Sequence, residues 1–293
     1  MELHDDDMPV GRILSRREML ALMGGSALVA GVSLSPLMKL SGLTSARAQE
    51  ELPACIVRPE LTEGPYFVDD QLERIDIRID PTDDSIKPGL SLLLIYRVSD
   101  VTGGACAPLA GAQVDVWHCD ADGVYSGVDD PGFDTTGALW LRGYQVTDED
   151  GIAKFLTIVP GWYSGRAVHI HFKIRTEAGY EFTSQFFFDP DLIAEIYAEE
   201  PYAAKGLPNV PNESDGIYQQ SGDMLTLELL PLTDEQLADL AGLEVEGVTE
   251  GYSATFDVGL DLSDAEAGAS DGFGGGGNGG GGRGPGGPPP GGG

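Results

Sequence analysis

Short apolar or alternating runs recur through the middle of the chain and are separated by turn-forming residues. The runs are rich in β-branched and aromatic residues, whereas Gly, Pro and Asp lie between them, a pattern typical of β-strands. They cover residues 91–98, 113–119, 139–146, 152–158, 167–175, 180–188, 224–230 and 252–258. Strands at this spacing predict an all-β fold, namely an antiparallel β-sandwich.

Two short helical insertions interrupt the strand pattern. Residues 191–204 have the composition of a helix. Thr233 and Gln236 have the spacing of a capping box, in which each side chain hydrogen-bonds to the other residue's backbone at the start of a helix. We therefore expect a β-sandwich with short helices placed between its strands.

The first 48 residues have the features of an export signal. Three arginines precede an uncharged run from Met19 to Met38, and residues 46–48 (ARA) form a small-x-small cleavage site. Residues 15–20 (SRREML) resemble a twin-arginine signal, which predicts a periplasmic or extracellular protein with no membrane contact after cleavage. The alternative is an uncleaved membrane anchor, because about 20 apolar residues can span a bilayer.

The remaining chain divides into two parts. Residues 49–263 have the length and hydrophobic content of one domain, and residues 264–293 form a Gly/Pro-rich tail for which we expect no packed structure. The chain has 17 Lys and Arg against 48 Asp and Glu, a net charge of −31. This charge argues against nucleic acid and anionic lipid as partners, because both require a basic surface.

Three cysteines, Cys55, Cys106 and Cys119, lie in the exported part of the chain. An odd number allows at most one internal disulfide. We predict the pair Cys106–Cys119, because these residues flank one predicted strand. The alternative is that all three are small buried hydrophobic residues.

Candidate chemistry concentrates in two junctions between loops and strands. His169 and His171 are two residues apart in a predicted strand, so both rings point to the same face. Tyr163 and Arg166 precede them, and Tyr125 follows another strand. Residues 160–172 contain no Asp or Glu, which disfavours a site of two histidines and one carboxylate. Zinc is also disfavoured because it rarely binds Tyr, whereas two phenolates suit ferric iron.

Four motifs in order resemble those of the intradiol ring-cleavage dioxygenases, which use non-haem Fe(III). They are TEGPYF (62–67), the segment from Trp117 to Tyr125, RGYQVTDEDG (142–151) and PGWYSGRAVHIHF (160–172). The resemblance extends from about Leu61 to Phe188. Within the family, the chain is similar to the secreted, single-chain members. The short loop between Tyr163 and His169 departs from the cytoplasmic members, as does the lack of room for their helical dimerisation domain.

The resemblance implies a role for each matching residue. It implies that Tyr125, Tyr163, His169 and His171 bind the iron, with Tyr163 also leaving the metal during catalysis. Arg166 matches an active-site arginine that stabilises negative charge on the substrate. Two further residues match positions at the substrate pocket, namely Tyr66 and Gln185.

The implied reaction cleaves an aromatic ortho-diol between its two hydroxyl-bearing carbons with O2, giving a cis,cis-muconate-type product. The identity of the diol stays open, and a homodimer is the default expectation. One alternative is a non-catalytic module similar to transthyretin-like or carboxypeptidase-regulatory-like sandwiches. Another is a metal-binding sandwich that has lost catalysis. His118 is either a partner behind the iron ligands or, as we favour, a structural histidine.

Overall fold

The computed structural model describes residues 56–243, 245 and 247–263. The predicted signal (1–48), the predicted tail (264–293) and Cys55 lie outside the described residues. Within the described ranges, no helix is both long enough and apolar enough to cross a membrane.

Strands dominate the described part of the chain. In chain order they are β1 (Ser91–Asp100), β2 (Ala107–Pro108), β3 (Gln113–Trp117), β4 (Asp129–Asp130), β5 (Phe133–Asp134), β6 (Arg142–Val146), β7 (Ile152–Ile158), β8 (His169–Arg175), β9 (Glu181–Phe188), β10 (Thr226–Leu227), β11 (Leu230–Pro231) and β12 (Tyr252–Leu260). The helices are α1 (Pro190–Ile196), α2 (Tyr218–Ser221) and α3 (Asp234–Gly242). Single 3₁₀ turns cover Thr102–Gly104, Tyr202–Ala204, Asn212–Ser214 and Gly222–Leu225.

The strands form two five-stranded sheets and one small hairpin. In the first sheet, β1 pairs with β12 in parallel and with β7 and β2 in antiparallel orientation, and β11 pairs with β12. The second sheet has the order β10-β9-β8-β3-β6, in which only the β10–β9 pair is parallel. The predominantly β fold is therefore confirmed, but both sheets are mixed rather than wholly antiparallel.

Aromatic side chains from the two sheets meet in one shared core. The rings of Tyr96 on β1 and Phe172 on β8 lie 5.6 Å apart between centroids, and Phe186 on β9 contacts Phe256 on β12 at 4.2 Å. These four residues are at most 4% exposed. Burial of these rings, together with the other apolar residues of the same core, stabilises the packing of the two sheets.

Two predicted elements differ from the structure. Residues 224–230 are divided among the end of a 3₁₀ turn, the two-residue strand β10 and the first residue of β11, instead of forming one strand. The predicted helix over 191–204 ends at Ile196, and a separate turn forms at Tyr202–Ala204. Pro201 between them lacks an amide hydrogen and restricts the residue before it, so a continuous helix is disfavoured. The capping box at Thr233 is present and begins α3.

The predicted disulfide between Cys106 and Cys119 is wrong. Cys119 is a free, buried cysteine, whereas Cys106 is disulfide-bonded. The thiol of Cys119 packs against the loop after β7, 3.4 Å from the carbonyl oxygen of Gly161. Burial raises the pKa of this thiol well above its usual range, so Cys119 behaves as a small hydrophobic residue.

Candidate metal centre

The two candidate histidines lie at the start of β8, on the face of the second sheet that points away from the shared core. Alternation along β8 places Ile170 and Phe172 in the core and His169 and His171 on the opposite face. Loops cover this outer face as well, so that His169 and His171 are only 2% and 1% exposed.

Strand pairing fixes the neighbours of His171. Its register partner on β3 is Trp117 and its partner on β9 is Gln185. Residues directly opposite each other in antiparallel strands share a face, and the rings of Trp117 and His171 stack with centroids 5.0 Å apart. Pairing of the strands therefore positions the imidazole ring of His171 between an indole and a carboxamide.

Two loops bring the candidate tyrosines to the same face. Tyr125 lies in the loop after β3, and Tyr163 lies in the loop between β7 and β8. The two loops touch through their backbones, because a Cβ at Gly161 would lie 2.3 Å from the carbonyl oxygen of Ala121. The Nζ of Lys205 donates to the carbonyl oxygens of both loops, at Asp122 and Trp162.

Four polar atoms converge where the loops meet β8. His169 Nε2 lies 3.1 Å from His171 Nε2, 3.2 Å from Tyr163 Oη and 3.4 Å from Tyr125 Oη. His169 Nδ1 lies 2.7 Å from the carbonyl oxygen of Ala167. A carbonyl only accepts, so Nδ1 carries the hydrogen and Nε2 presents a lone pair to the other three atoms.

This donor set fits a metal ion. Two atoms bound to one ion at about 2.0–2.1 Å, with about 90–110° between the bonds, lie about 2.8–3.4 Å apart. The three observed distances fall within this range. Among the described residues, no three His, Cys, Asp or Glu side chains form a metal-binding group. A metal at this position would therefore bind imidazole nitrogens and phenol oxygens.

Burial keeps both histidines neutral. Loss of solvation lowers the pKa of His169 well below its usual value, and the nearby positive charge of Arg166 lowers it further. Burial lowers the pKa of His171 in the same way, with added effects from His169 and Arg166. A neutral imidazole is the form that binds a metal.

Arg166 lies beside this cluster and is 1% exposed. Its Nε donates to Asp215 Oδ2 at 2.9 Å, and its Nη2 donates to Gln185 Oε1 at 2.6 Å. Gln185 Nε2 in turn donates to the carbonyl oxygen of Thr62 at 2.9 Å. Arg166 and Gln185, which were predicted separately as site residues, are thus joined by a hydrogen bond within one chain of such bonds.

Tyr66 covers the opposite side of the cluster. Its ring stacks on Tyr125 with centroids 4.3 Å apart and meets Tyr163 edge-on at 6.2 Å. Its hydroxyl donates to Asp130 Oδ2 at 2.9 Å, which links it to the hairpin formed by β4 and β5. The structure thus brings all seven predicted site residues together, namely Tyr66, Tyr125, Tyr163, Arg166, His169, His171 and Gln185.

Two carboxylates in this region, Asp130 and Asp215, are not indicated by the sequence as site residues. Asp130 lies in the two-residue strand β4 and Asp215 in a loop, and the sequence around each is that of an ordinary polar turn. The only local signal is the Asp215-Gly216 pair, which indicates a turn and not a partner for Arg166. His118 has a structural role, because Nδ1 donates to the carbonyl oxygen of Cys119 at 2.8 Å and Nε2 lies 2.6 Å from the Thr157 hydroxyl.

Comparison with known proteins shows which class of protein this chain resembles. Residues 62–205 match the family model described as dioxygenase. The chain is 32% identical over 161 residues to a chlorocatechol 1,2-dioxygenase of Pseudomonas putida, covering 49% of this chain and 55% of the relative. It is 30% identical over 186 residues to catechol 1,2-dioxygenase 1 of Acinetobacter lwoffii, covering 54% of this chain and 55% of the relative.

Solved structures show the same relationship. An intradiol ring-cleavage dioxygenase from Tetranychus urticae superimposes with a TM-score of 0.54 at 28% identity, covering 70% of this chain and 94% of that one. A second dioxygenase crystal structure gives a TM-score of 0.58 at 27% identity, covering 71% and 95%. Over residues 62–205, just under half of its length, the chain is similar to the intradiol ring-cleavage dioxygenases. It spans about half the length of the curated relatives it matches.

Proposed function

We propose that this protein is a non-haem Fe(III) dioxygenase that cleaves an aromatic ortho-diol between its two hydroxyl-bearing carbons. O2 is the second substrate, and the product is of the cis,cis-muconate type. The observation that carries this proposal is the convergence of His171 Nε2 and two phenol oxygens within 3.4 Å of His169 Nε2. The names of the relatives, catechol and chlorocatechol 1,2-dioxygenase, support the same reaction class.

Ferric iron suits this donor set because phenolate is a hard anion. Free tyrosine has a pKa near 10, so a bound cation is needed to keep both phenols deprotonated at neutral pH. When bound, Fe(III) supplies Lewis acidity and a template on which the diol and O2 are oriented. Tyr125, Tyr163, His169 and His171 would hold it.

The protein side chains then have separate tasks. Tyr163 is the only partly exposed member of the four, so its phenol can turn toward solvent and take a proton from a diol hydroxyl at Oη. Tyr125, 1% exposed and stacked under Tyr66, is held in place. Arg166 would stabilise the negative charge that develops on the substrate ring, an interaction strengthened by exclusion of water.

A visible spectrum of the purified iron-loaded protein tests the proposal. We expect a broad tyrosinate-to-Fe(III) band that shifts to longer wavelength when catechol is added under exclusion of O2. Admission of O2 should then give ring-opened product with one O2 consumed for each diol. Catechol, chlorocatechol, hydroxyquinol and protocatechuate would be compared as substrates.

Matched tyrosine variants locate the origin of the band. Tyr125→Phe should weaken and move the band, whereas Tyr144→Phe on β6 should leave it unchanged. A colourless protein after iron reconstitution would refute the four-ligand site and favour the non-catalytic sandwich module. A coloured protein that binds catechol without turnover would instead favour a metal-binding sandwich that has lost catalysis.

We also propose that the chain is exported, on the basis of the twin-arginine-like run at residues 15–20. Mass spectrometry of the protein recovered outside the cytoplasm should show an amino terminus near residue 49. The proposed homodimer is tested on the same material by light scattering.

A further inference from the structure

Arg166 is a buried cation whose orientation is determined by its partners. A guanidinium that is 1% exposed is stable only where carboxylate or carbonyl groups replace its water. Asp215 meets its Nε edge at 2.9 Å, and Gln185 meets Nη2 at 2.6 Å. Both contacts are made by the protein alone, so the guanidinium plane is set before a substrate arrives.

The carboxylate of Asp215 is itself fixed by backbone amides. Oδ2 accepts the amide of Ala167 at 2.7 Å in addition to Arg166 Nε, and Oδ1 accepts the amides of Ile217 and Tyr218 at 2.7 and 3.0 Å. The side chain is 0% exposed. Each oxygen therefore has two donors, which is close to the full accepting capacity of an ionised carboxylate.

Asp215 joins two separate parts of the chain. Its own segment, between the turn at Asn212–Ser214 and α2, lies beyond the residues matched by the family model. Through Arg166 and Ala167 it holds the strand entrance from which His169 projects. The ion pair therefore links the active-site loop to a region that the family match does not cover.

We propose that Asp215 is a positioning residue that fixes the orientation of the Arg166 guanidinium and offsets its charge, so that Arg166 acts on the substrate from a preset position. This inference rests on the proposed dioxygenase function. The side chain of Asp215 hydrogen-bonds to Arg166, Ala167, Ile217 and Tyr218, none of which is a candidate iron ligand. Its effect on catalysis therefore passes through the arginine.

Asparagine at this position has no satisfactory orientation. An amide group has one accepting oxygen and one NH2 group, whereas both carboxylate oxygens of Asp215 face two donors. Either orientation of Asp215→Asn sets an NH2 group against two N–H donors. If the NH2 group faces Arg166, the guanidinium loses its anchor and must move.

The test compares the Asp215→Asn variant (D215N) with the Asp80→Asn variant (D80N), which changes another buried aspartate. Asp80 is 3% exposed and accepts the amides of Thr82 and Leu139 at 2.9 and 3.3 Å, so Asp80→Asn controls for the general loss of a buried, hydrogen-bonded carboxylate. We expect D215N to keep its iron, its visible band and the catechol-induced shift. Its kcat should fall about 100-fold, as expected when a reacting group is misplaced by about 1 Å, with KM changed less than about threefold. D80N should keep the wild-type kcat.

Three results would overturn the role. Wild-type kcat in D215N would show that Arg166 does not depend on Asp215. Loss of iron and of the visible band in proportion to activity would show a structural role only. A wild-type protein with neither a visible band nor turnover would refute the proposed function itself and the role of Asp215 with it.

A comparison made in the R166Q background covers the case in which D215N alone does not fold. Arg166→Gln removes the other charge of the pair, and D215N added to R166Q should lower kcat less than about threefold further, because the two residues act as a unit. A further loss of about 100-fold in kcat on adding D215N to R166Q would refute the proposal. Failure of both D215N and the double variant to fold would assign Asp215 to the fold alone.

Discussion

His118 provides a pH-dependent test of the buried region behind the candidate metal centre. Its ring is 1% exposed and both nitrogens are used, one as a donor to Cys119 and one as an acceptor for Thr157. Burial lowers the pKa of His118 from 6.5 to about 4. Replacement by Gln keeps one donor and one acceptor but removes the titrating group.

The size of the effect follows from this pKa. Because the folded protein holds the neutral ring, the unfolded chain alone binds the proton between about pH 6.5 and 4, and the free energy of unfolding falls as the pH falls through this window. One pKa unit corresponds to about 1.4 kcal/mol. The whole contribution is therefore about 3 kcal/mol, of which about 2 kcal/mol is lost by about pH 5.

Urea unfolding of the wild type and H118Q at about pH 7 and about pH 5 measures this contribution. The wild type should lose about 2 kcal/mol more than H118Q between these two values. His169 and His171 are present in both proteins, so their own titration cancels in the difference. Parallel losses in the two proteins would refute the assignment of a neutral, buried ring to His118.

Three further substitutions probe the core and the loops. Gly161→Ala places a methyl group 2.3 Å from a carbonyl oxygen of the neighbouring loop. It should lower the unfolding free energy by about 2 kcal/mol and weaken iron retention. Chemical denaturation and metal analysis measure these two effects, and unchanged values would contradict the prediction. Phe172→Ala, at a fully buried ring, should cost about 3–5 kcal/mol in urea unfolding. Tyr202→Phe removes the donor to the Val159 carbonyl at 2.6 Å and should lower the unfolding free energy by about 1–2 kcal/mol.

Local pattern was sufficient for the strands that build the shared core. The predicted strand over 152–158 coincides with β7, and that over 180–188 begins one residue before β9. Both runs are β-branched or aromatic and end at turn-forming residues, so neighbouring residues alone determine them. Which strands pair with each other could not be predicted in this way. Nothing in the sequence of β1 or of β12 alone indicates that these two strands pair in parallel.

Some residues of the candidate site could likewise be predicted from the sequence, whereas others could not. Residue type and spacing indicated His169, His171, Tyr125 and Tyr163, because metal-binding chemistry depends on which side chains are present. Asp215 was missed because its partner Arg166 lies 49 residues away and the contact depends on how a polar loop folds back. The wrong disulfide has a related cause, since flanking a strand does not determine which cysteine the fold buries as a free thiol.

The loop that carries Tyr163 combines one rigid position with one open position. At Gly161 the backbone is pressed against the neighbouring loop, whereas Ser164 and Gly165 are exposed and a Cβ at Gly165 would meet nothing within 4 Å. Exposed loop tips are where chains accept insertions. An insertion between Tyr163 and Arg166 is therefore compatible with this fold, because the close contact at Gly161 still holds the start of the loop against its neighbour.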